Sequence, residues 1–333
     1  MSTDKRAGKH SNISIFVPHI GCPHKCSFCN QNTITGQTFI PRAQDVKNTC
    51  EKAISDGVDM SNTEIAFFGG SFTAVPLNYM IELLEAARRY VTKGFRGIRI
   101  STRPDAIDGR ILEILYRHGV TTIELGAQSM FDDVLELNER GHTAQDVVNA
   151  SRLIKQYSFN LGLQMMLGLY GSTPEKDYET ALKIADLEPK EVRIYPTVVL
   201  KDTKLGQLYE EGKYKTYELS EAVELSAKLL DLFESRGINV IKLGLHSSTD
   251  VEESMLGGIY HPAFRELCDN VRARNTMEKL MGDGASYTFT VRPDYLSKAL
   301  GHKKSNIEYF RGKGIEVTIK PEPSQTENIL IKE

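Results

Sequence analysis

The sequence predicts an α/β protein: a parallel sheet with helical crossovers, open or closed as a barrel, followed by a small α/β module. Three observations predict it. Short β-branched runs alternate with longer segments whose apolar residues recur at helical spacing. Glycines 94, 97, 119 and 237 stand where those helical patterns should stop. The alternation changes near Thr249, after which the elements are shorter.

Taken in order, residues 1–12 are polar and read as a flexible lead. Strands are expected at 13–18 (ISIFVP), 64–70 (EIAFFGG), 97–102 (GIRIST), 121–127 (TTIELGA), 160–167 (NLGLQMML), 191–197 (EVRIYPT) and 239–244 (NVIKLG). Between them, NYMIELLEAARRYV and ELSEAVELSAKLLDLFESRG carry the apolar spacing of helices. In such a fold, function gathers at the C-terminal ends of the strands. The barrel is placed at 13–248 and the module at 249–333. Within the module, residues 257–281 read as a loop and a helix. ASYTFTVRP follows as a strand, DYLSKAL as a helix, GHKK as a turn, SNIEYFRGKG as a second helix and IEVTIKPEP as a closing strand.

Composition narrows the function classes. The 333 residues are 40% hydrophobic and 26% charged, with a net charge of -3, so no global basic excess points to nucleic acid. No apolar run approaches the roughly 18 residues of a membrane span, and no membrane partner is expected. Five cysteines, three of them clustered, argue against a secreted disulfide framework and for a reducing cytoplasm.

The cluster lies in GCPHKCSFCNQ, where Cys22, Cys26 and Cys29 have the spacing C-x3-C-x2-C. A structural zinc ion wants four ligands, commonly from two paired motifs. Cys50 and Cys268 stand singly in helical patterns and form no second pair. Three thiolates without a fourth partner suit a cubane iron-sulfur cluster with one iron left open. Zinc remains the alternative on spacing alone.

With Phe28 before the last cysteine and the loop following the first strand, this motif resembles the radical S-adenosylmethionine (SAM) superfamily. The resemblance implies a partial (β/α)6-type TIM barrel of the radical SAM kind. It also implies a [4Fe-4S] cluster held by Cys22, Cys26 and Cys29, with SAM on the open iron. An electron from an external low-potential donor would cleave the sulfonium to give a 5′-deoxyadenosyl radical. FFGGSF resembles the family's glycine motif, so Gly69, Gly70 and Ser71 would face the SAM ammonium. STRPD resembles the next polar segment, where Ser101 or Thr102 would bond the ribose or carboxylate. ELGAQS and RGHT resemble a segment of coproporphyrinogen-oxidase-like enzymes and the catalytic subunit of Elongator. There Gln128 would bond the ribose and Arg140 the carboxylate. The alternative for Arg140 is a solvated cation at a helix start. QMMLGLYG resembles the adenine-binding strand, with Gln164 and Met166 on it.

The finer resemblance is to the Elongator-like branch, over Ile13 to Leu245; nothing beyond is long enough for that subunit's acetyltransferase domain. Arg193 and Tyr195 on the sixth strand, with Lys242 and His246 on or after the seventh, are candidate substrate-facing residues. Alternate positions share one face, and polar groups facing a barrel interior need a task or a partner. The module resembles a KH-type RNA-binding core, whose GxxG loop would be Gly301, His302, Lys303 and Lys304. Lys298, Arg311 and Lys313 add to a local basic character. The resemblance thus implies radical SAM chemistry on RNA, tRNA or rRNA. Two rivals stand beside it: a small-molecule radical enzyme of the coproporphyrinogen-oxidase or haem-handling type, and a non-catalytic RNA-binding or assembly protein with a structural metal.

Overall fold

A computed structural model of the chain describes residues 10–18, 22, 26–30, 39–245 and 249–332. Seven strands form one parallel sheet: β1 (Ser11–Val17), β2 (Thr63–Gly69), β3 (Gly97–Thr102), β4 (Val120–Gln128), β5 (Asn160–Leu167), β6 (Glu191–Pro196) and β8 (Asn239–Leu243). They lie side by side in chain order, the arrangement produced when every crossover runs the same way. The sheet curls into a half-barrel of seven strands, at the seven places where the sequence predicts them.

The crossovers include α1 (Ala43–Ser55), α2 (Leu77–Val91), α3 (Gly109–Arg117), α4 (Asp132–Leu137), α5 (Ala144–Gln156), α6 (Pro174–Asp186), α7 (Lys204–Glu210) and α8 (Leu219–Ser235). Several starts are written locally. The Thr143 side chain accepts from Asp146 N–H while Asp146 caps Thr143 in return, and Thr173 precedes Pro174 at the first helical position. The helices cover the convex face, where Ile65, Phe67, Ile98, Ile100, Ile123 and Leu125 are fully buried with Leu83, Leu84 and Phe233. The concave face carries the alternate residues. Register aligns Ser101 with Glu124, Gln164 with Arg193, Met166 with Tyr195, and Arg193 with Lys242.

Several short elements were not expected. β7 (Val198–Leu200) pairs antiparallel with β9 (Met255–Gly258), the latter preceded by α9 (Thr249–Ser254). This clasp ties the chain beyond the last barrel strand back to the end of β6. The module proper has three strands, β10 (Ser286–Val291), β11 (Glu316–Pro321) and β12 (Ile329–Lys332). β10 is central, parallel to β11 and antiparallel to β12. Between β10 and β11 run α11 (Leu296–Leu300), a turn and α12 (Ser305–Gly312). A 17-residue helix, α10 (Phe264–Leu280), serves both bodies: Phe264, Cys268 and Val271 join the barrel core, Ala273 and Met277 the module core. Among the described residues no helix is long and apolar enough to cross a membrane.

Candidate active site

The cysteine loop follows β1 and is anchored where its backbone is described. Ser27 N–H donates to Asn138 O at 3.1 Å, and Leu205 N–H donates to Ser27 O at 2.8 Å. The Ser27 hydroxyl reaches Asn138 Oδ1 at 2.8 Å, while the Asn138 amide holds the carbonyls of Val134 and Tyr170. Phe28 packs beside Tyr170, Leu205 and Tyr214. Asn138 thus pins the loop between two cysteines to the segment after β4.

The three sulfurs share one electrostatic environment. Burial, then the Cys26 and Cys22 thiols, push the Cys29 thiol up to about 12, against a lowering pull from Arg140. Cys22 Sγ lies 3.9 Å from Ser71 Oγ. Among the described residues no three His, Cys, Asp or Glu side chains are grouped to grip a single ion. A cubane distributes its thiolate ligands over separate iron atoms and so sets them further apart than the ligands of one ion.

Around the loop stand the predicted SAM residues. Gly69 has φ +108°, and a Cβ there would lie 2.5 Å from Val17 O; one on Gly70 would lie 2.9 Å from Pro18 O. Both glycines are demanded by the close meeting of the β1 and β2 ends. Gln128 ends β4 with φ 64°, a left-handed conformation for a residue with a side chain, and its Oε1 is buried without a hydrogen-bond partner. Arg140 is 8% exposed, so the solvated reading is overturned. Its Nη1 donates to Cys26 Sγ at 2.9 Å and its Nη2 to Gly126 O at 2.8 Å, while Nε is buried without a partner. A Cβ on Gly126 would lie 2.9 Å from Gln128 Nε2, so that glycine leaves room for the Gln128 amide. Thiol-only donors, and two orphaned polar atoms beside them, fit a cluster with a polar small molecule against it.

Ser101 and Thr102 separate by strand alternation. Ser101 Oγ faces inward and accepts from Gln164 Nε2 at 3.3 Å. Thr102 turns outward and is spent on Thr73, hydroxyl to hydroxyl at 2.6 Å, which withdraws it from the SAM side.

Arg193 stands inside the barrel, but not as a free catalytic cation. Its Nε and Nη2 donate to the two Glu124 oxygens at 2.7 and 3.0 Å. Glu124 also accepts from Arg99 at 2.6 Å and from Gln164 at 2.7 Å, and Arg99 donates to Glu64 at 2.7 Å and to Glu191. Arg193 is therefore the upper end of a buried ionic floor, with its guanidinium 5.1 Å over the Phe68 ring. Burial raises the Tyr195 phenol, and burial then the neighbouring Arg193 charge lower the Lys242 ammonium. Met166, Tyr195 and Lys242 lie along the same concave face. His246 lies outside the described residues.

Sequence reasoning missed the floor below Arg193, although Glu64, Arg99, Glu124 and Glu191 are charged residues within strands, the signal that singled out Arg193. It also missed a clamp on Gly168. Asp177 accepts from Gly168 N–H at 2.7 Å, and the Tyr214 hydroxyl donates to Gly168 O at 2.5 Å.

In the module, Gly301, Lys303 and Lys304 all have positive φ (78°, 51° and 64°). A Cβ on Gly301 would lie 2.4 Å from Ser305 Oγ. Asn306 Nδ2 secures the turn to the carbonyls of Asn270 and Ala299 at 2.9 and 3.0 Å. The surrounding basic character is smaller than the sequence suggests: Lys298 pairs with Asp269, Arg311 with Glu308 and Lys313 with Glu278. His302 sits edge-on to His261, while Lys303 and Lys304 are exposed.

A parallel half-barrel with three thiols in the loop after its first strand offers a site for a thiolate-bound iron-sulfur cofactor. The chain belongs to the Radical SAM superfamily: residues 16–184 match that family and residues 189–274 match the Radical SAM C-terminal domain. It is an enzyme of that superfamily, whose cofactors are a [4Fe-4S] cluster and SAM, and the non-catalytic reading gives way. Its relatives are Elongator-like. It is 29% identical over 240 residues to a tRNA uridine(34) acetyltransferase of Dehalococcoides mccartyi, covering 62% of this chain and 52% of that protein. It is 31% identical over 198 residues to human Elongator complex protein 3, covering 53% and 36% respectively. An uncharacterised Methanocaldococcus jannaschii protein is 30% identical over 227 residues, 67% of each chain. The chain thus spans about half, or less, of the two named relatives. The archaeal Elp3 of Methanocaldococcus infernus shares the fold, with a TM-score of 0.62 at 21% identity over 81% of this chain and 63% of that one.

Proposed function

We propose that this chain is a radical SAM enzyme that modifies RNA, with tRNA as the first candidate, and that Cys22, Cys26 and Cys29 hold its cluster. The observation that carries the RNA reading is the sequence relationship across the barrel to proteins whose names state work on tRNA uridine 34. Together, a cluster and SAM supply one-electron cleavage of a sulfonium to a carbon radical; the electron comes from an external low-potential donor.

The chain's own residues bind, orient and exclude water. Gln128 Oε1 is the acceptor offered to the ribose hydroxyls, and Arg140 Nε is the donor left for the carboxylate. Ser101 and Gln164 line the concave face above the ionic floor, and Tyr195, Met166 and Lys242 are the groups a substrate would meet. The turn Gly301–Lys304, with Lys303 and Lys304 exposed, is the proposed contact with RNA phosphates. The residues after β8 build the clasp and the small module.

The test is anaerobic turnover of the reconstituted protein with cellular RNA and labelled SAM, followed by nucleoside mass spectrometry. A new or labelled nucleoside that depends on Cys26 is expected. Cleavage of SAM without any change in RNA would move a small-molecule substrate of the coproporphyrinogen-oxidase type to first place.

A further inference from the structure

We infer that Arg140 sets the reduction potential of the cluster through a charge-assisted hydrogen bond to the ligand sulfur of Cys26. The inference rests on the reading that Cys22, Cys26 and Cys29 hold the cluster.

Four observations place the guanidinium on the sulfur. Arg140 Nη1 lies 2.9 Å from Cys26 Sγ. The other terminal nitrogen is fixed on Gly126 O at 2.8 Å, so the fork cannot rotate away without breaking that bond. The Arg140 backbone is itself held, its carbonyl accepting from Arg103 Nη2 at 2.8 Å, and Arg103 is paired with Asp105. The cation also stands 5.9 Å over the ring of Phe28, the residue before Cys29. At 8% exposure the charge is weakly screened by water.

The chemistry follows from charge. Three thiolates on an oxidised [4Fe-4S] core give a net charge of about -1, and one electron from a low-potential donor makes it about -2. A cation with an N–H aimed at one of the sulfurs stabilises the more negative state more strongly, which raises the potential. Arg140 is then a tuning residue that makes the first electron transfer accessible. Its remaining Nε is separately available to SAM.

The experiment is an EPR-monitored redox titration of anaerobically reconstituted protein, without SAM, for wild type, Arg140→Lys and Arg140→Met. Iron and sulfide content are measured alongside. The expected result is a more negative midpoint for Arg140→Met, with Arg140→Lys between it and wild type because the charge is kept and the fixed fork is lost. Leaving SAM out means that a contact to its carboxylate cannot produce the shift. Equal midpoints in proteins with full clusters would overturn the inference and leave the cluster reading standing. Loss of the cluster in both variants would overturn it in favour of an assembly role. Wild-type protein that takes up no [4Fe-4S] cluster would overturn the reading on which it rests.

Discussion

Asp177 has only 2% of its surface exposed, and its two oxygens accept from Gly168 N–H, the Ser172 hydroxyl at 2.5 Å and the Tyr217 hydroxyl at 2.9 Å. Burial outweighs those bonds and raises its carboxyl from 3.8 to about 6. A carboxyl that is harder to ionise in the folded chain holds its proton there at pH values where the unfolded chain has lost it. Folding stability therefore falls as pH rises from about 4 to about 6, and the shift of about two units corresponds to roughly 3 kcal/mol. Asp177→Asn should abolish that slope, since the amide keeps an acceptor for Gly168 and has no charge to bury. Urea-unfolding free energies of the apo protein across pH 4–7 check this, and an unchanged slope in the variant would assign the titration elsewhere. The sequence reading passed over Asp177, because an acid in the first turn of a helix is an ordinary favourable position. Its burial depends on Tyr214 and Tyr217, some 40 residues away in sequence.

At the scale of elements, the half-barrel carries its polarity inward and stabilises it with one arginine. Arg99, 2% exposed, joins Glu64 on β2 to Glu124 on β4 and Glu191 on β6. Removing it leaves three carboxylates facing a low-dielectric interior. Breaking a buried ion pair typically costs about 3–5 kcal/mol. Arg99→Met should cost at least that much, whereas Arg193→Met should cost less, because Glu124 keeps Arg99 and Gln164. Equilibrium urea denaturation with unchanged m-values would establish the order; equal losses would mean that the floor is not held through Arg99. Strand order was legible because β-branched runs recur between segments of helical period and stop glycines. The concave polarity was only half legible. Period two singled out Arg193 and Tyr195, but which charges meet depends on register between strands far apart in sequence. The same limit applies to Ser101 and Thr102, adjacent in sequence and opposite in direction. β7, β9 and β12 were missed because three- or four-residue strands carry too little pattern to stand out from loop.

Over the whole molecule, α10 belongs to two cores, so the module is not a loosely tethered appendage. The net charge is -3, and three of the module's basic side chains are already matched with carboxylates. Lys303 and Lys304, exposed on a left-handed turn held from behind by Asn306, are two cations the module offers to a polyanion. Each phosphate contact releases counterions and contributes about 0.7 to the slope of log K against log salt for a single strand, or about 0.9 for a duplex. Changing Lys303 and Lys304 together to Ala should therefore weaken RNA binding across sequences and flatten the slope by roughly 1.5 units. Fluorescence anisotropy with labelled RNA at several salt concentrations measures it. A weakened affinity with an unaltered slope would mean that the lysines act through packing. Wild-type protein that shows no salt-dependent RNA binding at micromolar concentration would make the module a structural cover for the barrel. The open concave face, with Tyr195, Met166 and Lys242 along it, would then be matched to a small molecule instead of a nucleotide chain.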